Sequence, residues 1–248
     1  MTQLEGHVAL VTAAGGGIGQ ATAWLLAERG AAVIAVDIDE TGLAETAAKA
    51  AGRLSILKGD ATKWDDAQAA VAAAKREFGK LTILANVVGG SRPGQTILDM
   101  SPEDWSHWVD LNLTSTFLMC KAAIPLMAES GGGSIVNVSS GAGVTGMMRN
   151  PAYVAAKGGV IALTRSLAID HADQHIRANC VAPGPILTPL MERNRRPEEI
   201  DYLAKMTLAG RIGMPHDIAA TIAFLSSKDG EFINGELINV AGGRRGGV

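Results

Sequence analysis

The 248-residue sequence holds only two cysteines, two tyrosines and four phenylalanines. Cys120 and Cys180 stand alone, with no C-x-x-C and no repeated spacing. That excludes a disulfide framework and a thiolate metal cluster, and suits a reducing cytoplasm. Charge of one sign is not in excess either. Lys and Arg number 22 against 25 Asp and Glu, a net charge of −3, so nothing electrostatic favours nucleic acid or an anionic membrane as partner. No uninterrupted apolar run approaches the roughly 18 residues of a membrane span. The opening MTQLEGH lacks the basic, apolar and small-residue order of a secretory signal. No linker or compositional break divides the chain. The expectation is one soluble cytoplasmic domain over 1–248, and 47% hydrophobic residues are enough for a sizeable core.

What is present is regular. Short apolar runs at 7–12, 31–37, 54–60, 81–87, 134–140, 176–183 and 236–243 alternate with alanine-rich helical stretches near 17–29, 40–51, 63–78, 102–130, 152–173 and 215–227. Continuous apolar strands, each followed by a helix, indicate an α/β fold with a parallel sheet covered on both faces. The departure is 184–213, a segment bearing proline and charge after a strand end. Ligands of such sheets bind outside the carboxyl ends of the strands, so this segment is expected to be a lid over substrate.

The stretch VALVTAAGGGIGQATAWLL, residues 8–26, reads as strand, glycine turn and helix. Gly15, Gly16 and Gly17 permit positive φ, and Gly19 permits close helix–strand packing. Amides exposed at the helix start, with the positive end of its dipole, favour a phosphate; a tight turn without ligand is the plainer alternative. Yet G-x-G-x-x-G fails, because Gln20 stands where a glycine is needed. Asp37 closes the second strand 18 positions after Gly19, near the spacing of an acid that accepts from an adenosine ribose. A 2′-phosphate at ~4 Å from that carboxylate costs ~4 kcal/mol per charge pair at an effective dielectric of 20, and no Lys or Arg lies within 13–19 or 36–42 to offset it. The cofactor reads as NAD rather than NADP, unless Asp37 or Asp39 merely caps the next helix.

The chemistry is carried by NPAYVAAKGG, 150–159. Tyr153 and Lys157 are four apart, neighbours on one helix face. A free phenol titrates near 10, and an adjacent ammonium favours its phenolate, making it an acid/base for an alcohol or ketone while hydride moves to or from the cofactor. Upstream, SIVNVSS ends in two hydroxyls, Ser139 and Ser140, on opposite faces; periodicity leaves open which serves. Asn112 falls inside an apolar stripe of Trp105, Trp108, Val109, Thr116 and Met119, on a helix capped by Ser101 and Pro102. Such an amide either satisfies a local carbonyl or joins a polar network reaching the site.

Together these features resemble the compact branch of the short-chain dehydrogenase/reductase family, nearly end to end. The T-G-x-x-x-G-I-G loop of that family is similar to Thr12-Ala13-Ala14-Gly15-Gly16-Gly17-Ile18-Gly19, with Ala13 replacing its first glycine. If that position needs positive φ, alanine costs roughly 1–2 kcal/mol, unless Gly15 and Gly16 let the turn shift. The family's N-N-A-G becomes Asn86-Val87-Val88-Gly89. The resemblance implies a seven-stranded parallel Rossmann-like sheet in order 3-2-1-4-5-6-7 and a homotetramer built through the helices at 102–130 and 152–173. It implies that Asp60 and Ala61 contact adenine and that Asn86 backs the adenine and ribose. By the same resemblance Pro183, Gly184 and Ile186 meet the nicotinamide, and Thr188 reaches the pyrophosphate or carboxamide. Tyr153 is then the acid/base, Lys157 lowers its pKa and bonds the ribose, Ser140 positions the substrate oxygen, and Asn112 holds a water behind Lys157. The implied activity is an NAD-dependent interconversion of a secondary alcohol and a ketone on a small, partly apolar molecule. The alternatives are a 3-oxoacyl-thioester reductase, which would use Arg193, Arg195 and Arg196, and an inactive NAD-binding regulatory protein.

Other constellations carry less. His171 and His175 straddle a helix end without a carboxylate, so no metal is expected. Asp65–Asp66 and Glu198–Glu199 are expected to face water. Met147, Met148 and Met191 suit an apolar pocket or plain filling, Arg149 a substrate carboxylate or an exposed loop, and the GGRRGGV tail is expected to fray without an oligomer partner.

Overall fold

The computed structural model describes residues 3–243. Seven strands form one parallel sheet in the order β3-β2-β1-β4-β5-β6-β7. They are β1 (Val8–Thr12), β2 (Ala32–Asp37), β3 (Leu54–Lys58), β4 (Ile83–Asn86), β5 (Gly133–Val138), β6 (Ile176–Pro183) and β7 (Leu237–Val240). The five inner strands are buried along nearly their whole length because helices cover both of their faces; β3 and β7, at the edges, are only half-buried.

On one face lie α1 (Gly17–Glu28), α2 (Glu40–Lys49) and α10 (Pro215–Ser226), packed through Ala23, Leu26, Leu43, Ile218 and Ile222. On the other lie α3 (Trp64–Phe78), α5 (Ser115–Glu129) and α7 (Pro151–Asp170). Alanines 67, 70 and 74 of α3 recur at helical spacing and are fully buried, letting that helix approach closely. Each buried Leu or Ile of the sheet, such as Leu10, Ile34, Leu84 and Ile135, contributes roughly 1.5–3 kcal/mol.

The stretch expected as one helix over 102–130 is three pieces: α4 (Pro102–Val109), a π-helical segment (Asp110–Thr114) and α5. The wider π turn shifts the phase, so the expected stripe is broken: Thr116 and Met119 are buried while Trp105 is turned outward. Both Pro102–Glu129 and Pro151–Asp170 are long and apolar enough on average to cross a membrane, although neither holds an unbroken apolar run; about half of each is buried against the sheet and its neighbours. The segment 184–213 contains two further helices, α8 (Pro189–Asn194) and α9 (Pro197–Met206). Its ends are joined where Ile186 pairs with Gly213, and Arg211 holds Asp217 at the start of α10 with Nη1–Oδ2 2.6 Å and Nη2–Oδ1 2.8 Å. A short α6 (Ala142–Thr145) follows β5. Of the expected fraying tail, 244–248 lie outside the described residues.

Candidate active site

The strand order reverses between β1 and β4, the point at which an open α/β sheet of this kind receives its ligand. Thr12, the last residue of β1, ties that strand to the segment after β4: its hydroxyl accepts from Val87 N (3.0 Å) and Val88 N (3.4 Å). In the sequence Thr12 stands out only as the first residue of the loop pattern.

Within the glycine loop it is Ala13 that takes the left-handed conformation, with φ +55°, together with Gly17 at +53°. Gly15 and Gly16 do not, so the turn has not shifted to spare Ala13; the backbone accepts the strain. Gly19 is required for packing, since a Cβ there would sit 2.0 Å from Ala13 O. Gln20, the residue that broke the simple pattern, donates to Thr46 Oγ1 (2.9 Å), and that hydroxyl donates to Ala14 O (2.7 Å), so α2 clasps the loop from behind. The N-terminus of α1 has no capping side chain and no acid in its first turn. Its leading amides are thus open to an anion. A Cβ on Gly17 would meet Thr188 at 3.3 Å, which puts the root of α8 against the loop. The hydroxyl of Thr188 itself caps α8, accepting from Met191 N at 3.2 Å.

Of Asp37 and Asp39, it is Asp39 that caps α2, accepting from Thr41 N and Gly42 N. Asp37 does not cap; its Oδ2 accepts from Gly15 N at 2.9 Å, placing the carboxylate against the glycine loop. Asp60 folds into its own turn with Thr62 N (2.9 Å) and Oγ1 (2.7 Å). Its amide donates to Asp66, which is therefore not a purely solvent-facing residue, whereas Asp65 is exposed. Ala61 is buried in the core. The amide of Asn86 points into the sheet, bonded to Asn137 Oδ1 (2.9 Å) and Cys120 Sγ (3.3 Å), so its part is to brace the crevice from below. Pro183 ends β6, a Cβ on Gly184 would lie 2.8 Å from Ala241, and the Ile186 side chain is buried.

Beyond β5 the two serines separate. Ser139 is buried and donates to Lys157 O at 2.7 Å, while the Ser140 hydroxyl accepts from Ala142 N at 3.2 Å and stands beside Tyr153. Burial pushes the Tyr153 phenol up, and the neighbouring Ser140 hydroxyl only partly opposes this. Lys157 does not lower it here, because its amine is turned to backbone carbonyls, Val138 O at 2.9 Å and Val88 O at 3.4 Å. Burial instead pulls Lys157 itself down to about 8. Asn112 is fully buried on the π segment and does both things the sequence allowed. Its Nδ2 donates to Trp108 O (2.9 Å) and Gly90 O (2.9 Å), and its Oδ1 accepts from Gly90 N (3.1 Å). A Cβ on Gly89 would lie 2.7 Å from Lys157 Nζ and 2.8 Å from Asn112 Oδ1, so the surviving glycine of the altered N-N-A-G is where the two side chains meet. Arg149, itself at φ +54°, is engaged: its guanidinium bonds Gly94 O and lies 3.6 Å from Asp99. Met147 and Met148 are exposed, Arg196 is paired with Glu199 at 3.6 Å, and no His, Cys, Asp or Glu cluster fit for a metal occurs among the described residues.

A phosphate-ready helix end, an acid at the tip of β2, and a serine, tyrosine and lysine at the ends of β5 and α7 thus share one edge of the sheet. The family model described as enoyl-(acyl carrier protein) reductase matches residues 12–245. D-threitol dehydrogenase of Mycolicibacterium smegmatis is 37% identical over 97% of this chain and 94% of its own length. Cyclohexanol dehydrogenase of an Acinetobacter species is 36% identical over 97% and 95%, and a 3-oxoacyl-acyl-carrier-protein reductase of Vibrio cholerae 38% over 97% and 98%. The chain belongs to the short-chain dehydrogenase/reductase family of oxidoreductases.

Proposed function

We propose that this oxidoreductase is an NAD-dependent secondary alcohol dehydrogenase, in which Tyr153 exchanges the proton of the substrate oxygen. The observation that carries the reading is the placing of Ser140 beside Tyr153, one helical turn from the buried amine of Lys157, at the edge where the uncapped helix α1 begins. When bound, NAD supplies the hydride acceptor, and NADH the donor, for the carbinol carbon.

The chain's own residues divide the remaining tasks. Amides at the start of α1, with Gly17 and Thr188 facing each other, suit the pyrophosphate. The Asp37 carboxylate suits two ribose hydroxyls and opposes a 2′-phosphate, which is the basis for NAD over NADP. Ser140 holds the substrate oxygen within reach of the Tyr153 hydroxyl. Lys157 is close enough to Gly89 and Asn112 to turn from its backbone acceptors toward a ribose, and its charge there favours the phenolate. Asn112 fixes the 89–90 backbone against which Lys157 rests. The segment 184–213 serves as the lid. A homotetramer in the cytoplasm, assembled through α5 and α7, is the expected form.

Thioester reduction is the weaker reading, because Arg196, one of its three arginines, is committed to Glu199. Tyr153→Phe decides between an enzyme and a binding protein. Turnover of cyclic or polyol secondary alcohols with NAD⁺, read at 340 nm, should fall by about 10²–10⁴-fold with NADH binding retained. Undiminished turnover would remove Tyr153 from the chemistry.

A further inference from the structure

The two peptides that follow the left-handed Ala13 are held almost atom by atom. Ala14 N donates to Val36 O at 3.0 Å, Gly15 N donates to Asp37 Oδ2 at 2.9 Å, and Ala14 O accepts from the Thr46 hydroxyl at 2.7 Å. Gly42, one turn before Thr46 on α2, runs so close to the loop that a Cβ on it would lie 2.1 Å from Gly15 O. All of these holding groups belong to β2, α2 or the residue that ends β2. The next residue is free, since a Cβ on Gly16 would meet nothing within 4 Å.

Thr46 is the unexpected member of this set. A threonine inside a helix satisfies its hydroxyl on the carbonyl four residues back, here Gly42 O at 2.9 Å, and needs no partner elsewhere. Thr46 is fully buried and has two more partners: its Oγ1 accepts from Gln20 Nε2 at 2.9 Å and shares its one proton with Ala14 O. Trp24 Nε1 donates to Thr46 O at 2.9 Å, so two residues of α1 four apart dock on one residue of α2. Gln20 N donates to Gly16 O at 3.2 Å, which carries the clasp into the first turn of α1, where the open amides lie.

Ala13 gives this arrangement its consequence. An alanine at φ +55° is strained, and leaving that conformation swings the peptides of Ala14 and Gly15, whose bonds would then break. We propose that Thr46 is a positioning residue for the dinucleotide: steered by Gln20, its hydroxyl keeps the loop in its binding shape before the cofactor arrives, a task that backbone freedom performs where the loop begins with glycine. The inference rests on the reading of this loop as the seat of the cofactor pyrophosphate. A loop that holds the competent shape for only a fraction of the time binds more weakly by that fraction.

Fluorescence titration of the full chain with NADH and with NADPH, which share the pyrophosphate, tests the clasp. Thr46→Val keeps the side-chain shape and removes the hydroxyl; it should raise the dissociation constant of the preferred dinucleotide by about fivefold or more. Thr46→Ser should return it to within about twofold of wild type, and Ala13→Gly added to Thr46→Val should recover most of the loss, because glycine takes the left-handed conformation without strain. If Thr46→Val does not fold, Gln20→Ala, at a half-buried position, carries the same test with a rise of about twofold or more and the same rescue by Ala13→Gly. Unchanged affinity beside a lowered melting temperature, a loss that serine does not repair, or one that Ala13→Gly leaves untouched would overturn the proposal. A wild type that prefers NADPH would overturn the NAD assignment instead, and the clasp is then read on NADPH.

Discussion

Lys157 holds the sharpest residue-scale consequence. Its amine is buried and drawn down to about 8 from an ordinary value of 10.5, so between those two pH values the unfolded chain binds more protons than the folded one. Stability from this group therefore rises as pH climbs from 8 toward 10.5, and the desolvation penalty is fully present below 8. Replacing it, as in Lys157→Met, removes a contribution of up to about 3 kcal/mol to that rise. Thermal melts of the cofactor-free proteins at pH 7 and pH 10 should show wild type gaining on the variant at the higher pH; a parallel shift of both would contradict the burial argument. Asp37 is the second case, since its Oδ2 already accepts from the glycine loop. Asp37→Ala should lower the ratio of kcat/KM for NAD⁺ over NADP⁺ by at least tenfold in initial-rate assays. Comparable efficiency of wild type with both cofactors would remove the role given to this acid.

At the scale of elements, the glycine loop separates conformation from space. Gly16 has φ −172° and open surroundings, whereas a Cβ on Gly19 collides with the carbonyl of Ala13. Gly16→Ala should leave the melting temperature nearly unchanged, and Gly19→Ala should displace α1 from β1 with a loss of several degrees and of NADH affinity. Ala13→Gly acts in the other direction: relief of a left-handed alanine, worth roughly 1–2 kcal/mol, outweighs the extra freedom glycine gives the unfolded chain, roughly 0.4–1 kcal/mol, so a small gain in denaturant midpoint is expected. The π segment is the other element that matters. It turns Asn112 inward to Gly90 while Trp105 faces out, an arrangement that a regular 3.6-residue repeat does not produce.

For the whole molecule, the faces of α5 and α7 turned away from the sheet carry Phe117 and Ile169, which are 44% and 78% exposed. Exposed apolar side chains on two helices of one layer favour association through that layer. Light scattering should report a mass four times the 25.6 kDa of one chain, and Phe117→Asp should lower it. A monomer in wild type would end the tetramer reading.

The alternation of strands and main helices, the parallel sheet, the strand–turn–helix of the glycine loop and the helix that carries Tyr153 and Lys157 were legible in the sequence, because hydrophobic periodicity and local spacing are properties of short windows, whereas the strand order came only with the family resemblance. The choice between alternatives within those windows was not. Ser139 and Ser140 are equivalent as letters, and only the position of α7 gives one of them Lys157 O and the other Tyr153. Either Asp37 or Asp39 could have capped α2, and only the approach of β2 to the glycine loop leaves the cap to Asp39 and gives Asp37 the amide of Gly15. The direction of the Tyr153 and Lys157 shifts depends on burial and on where one flexible amine finds its acceptors, in Val88 and Val138, 69 and 19 residues away. Sequence determines what each segment can form; the tertiary structure decides which distant backbone groups complete a buried polar atom, because an unmet one costs about 1–3 kcal/mol and the fold settles where each is satisfied.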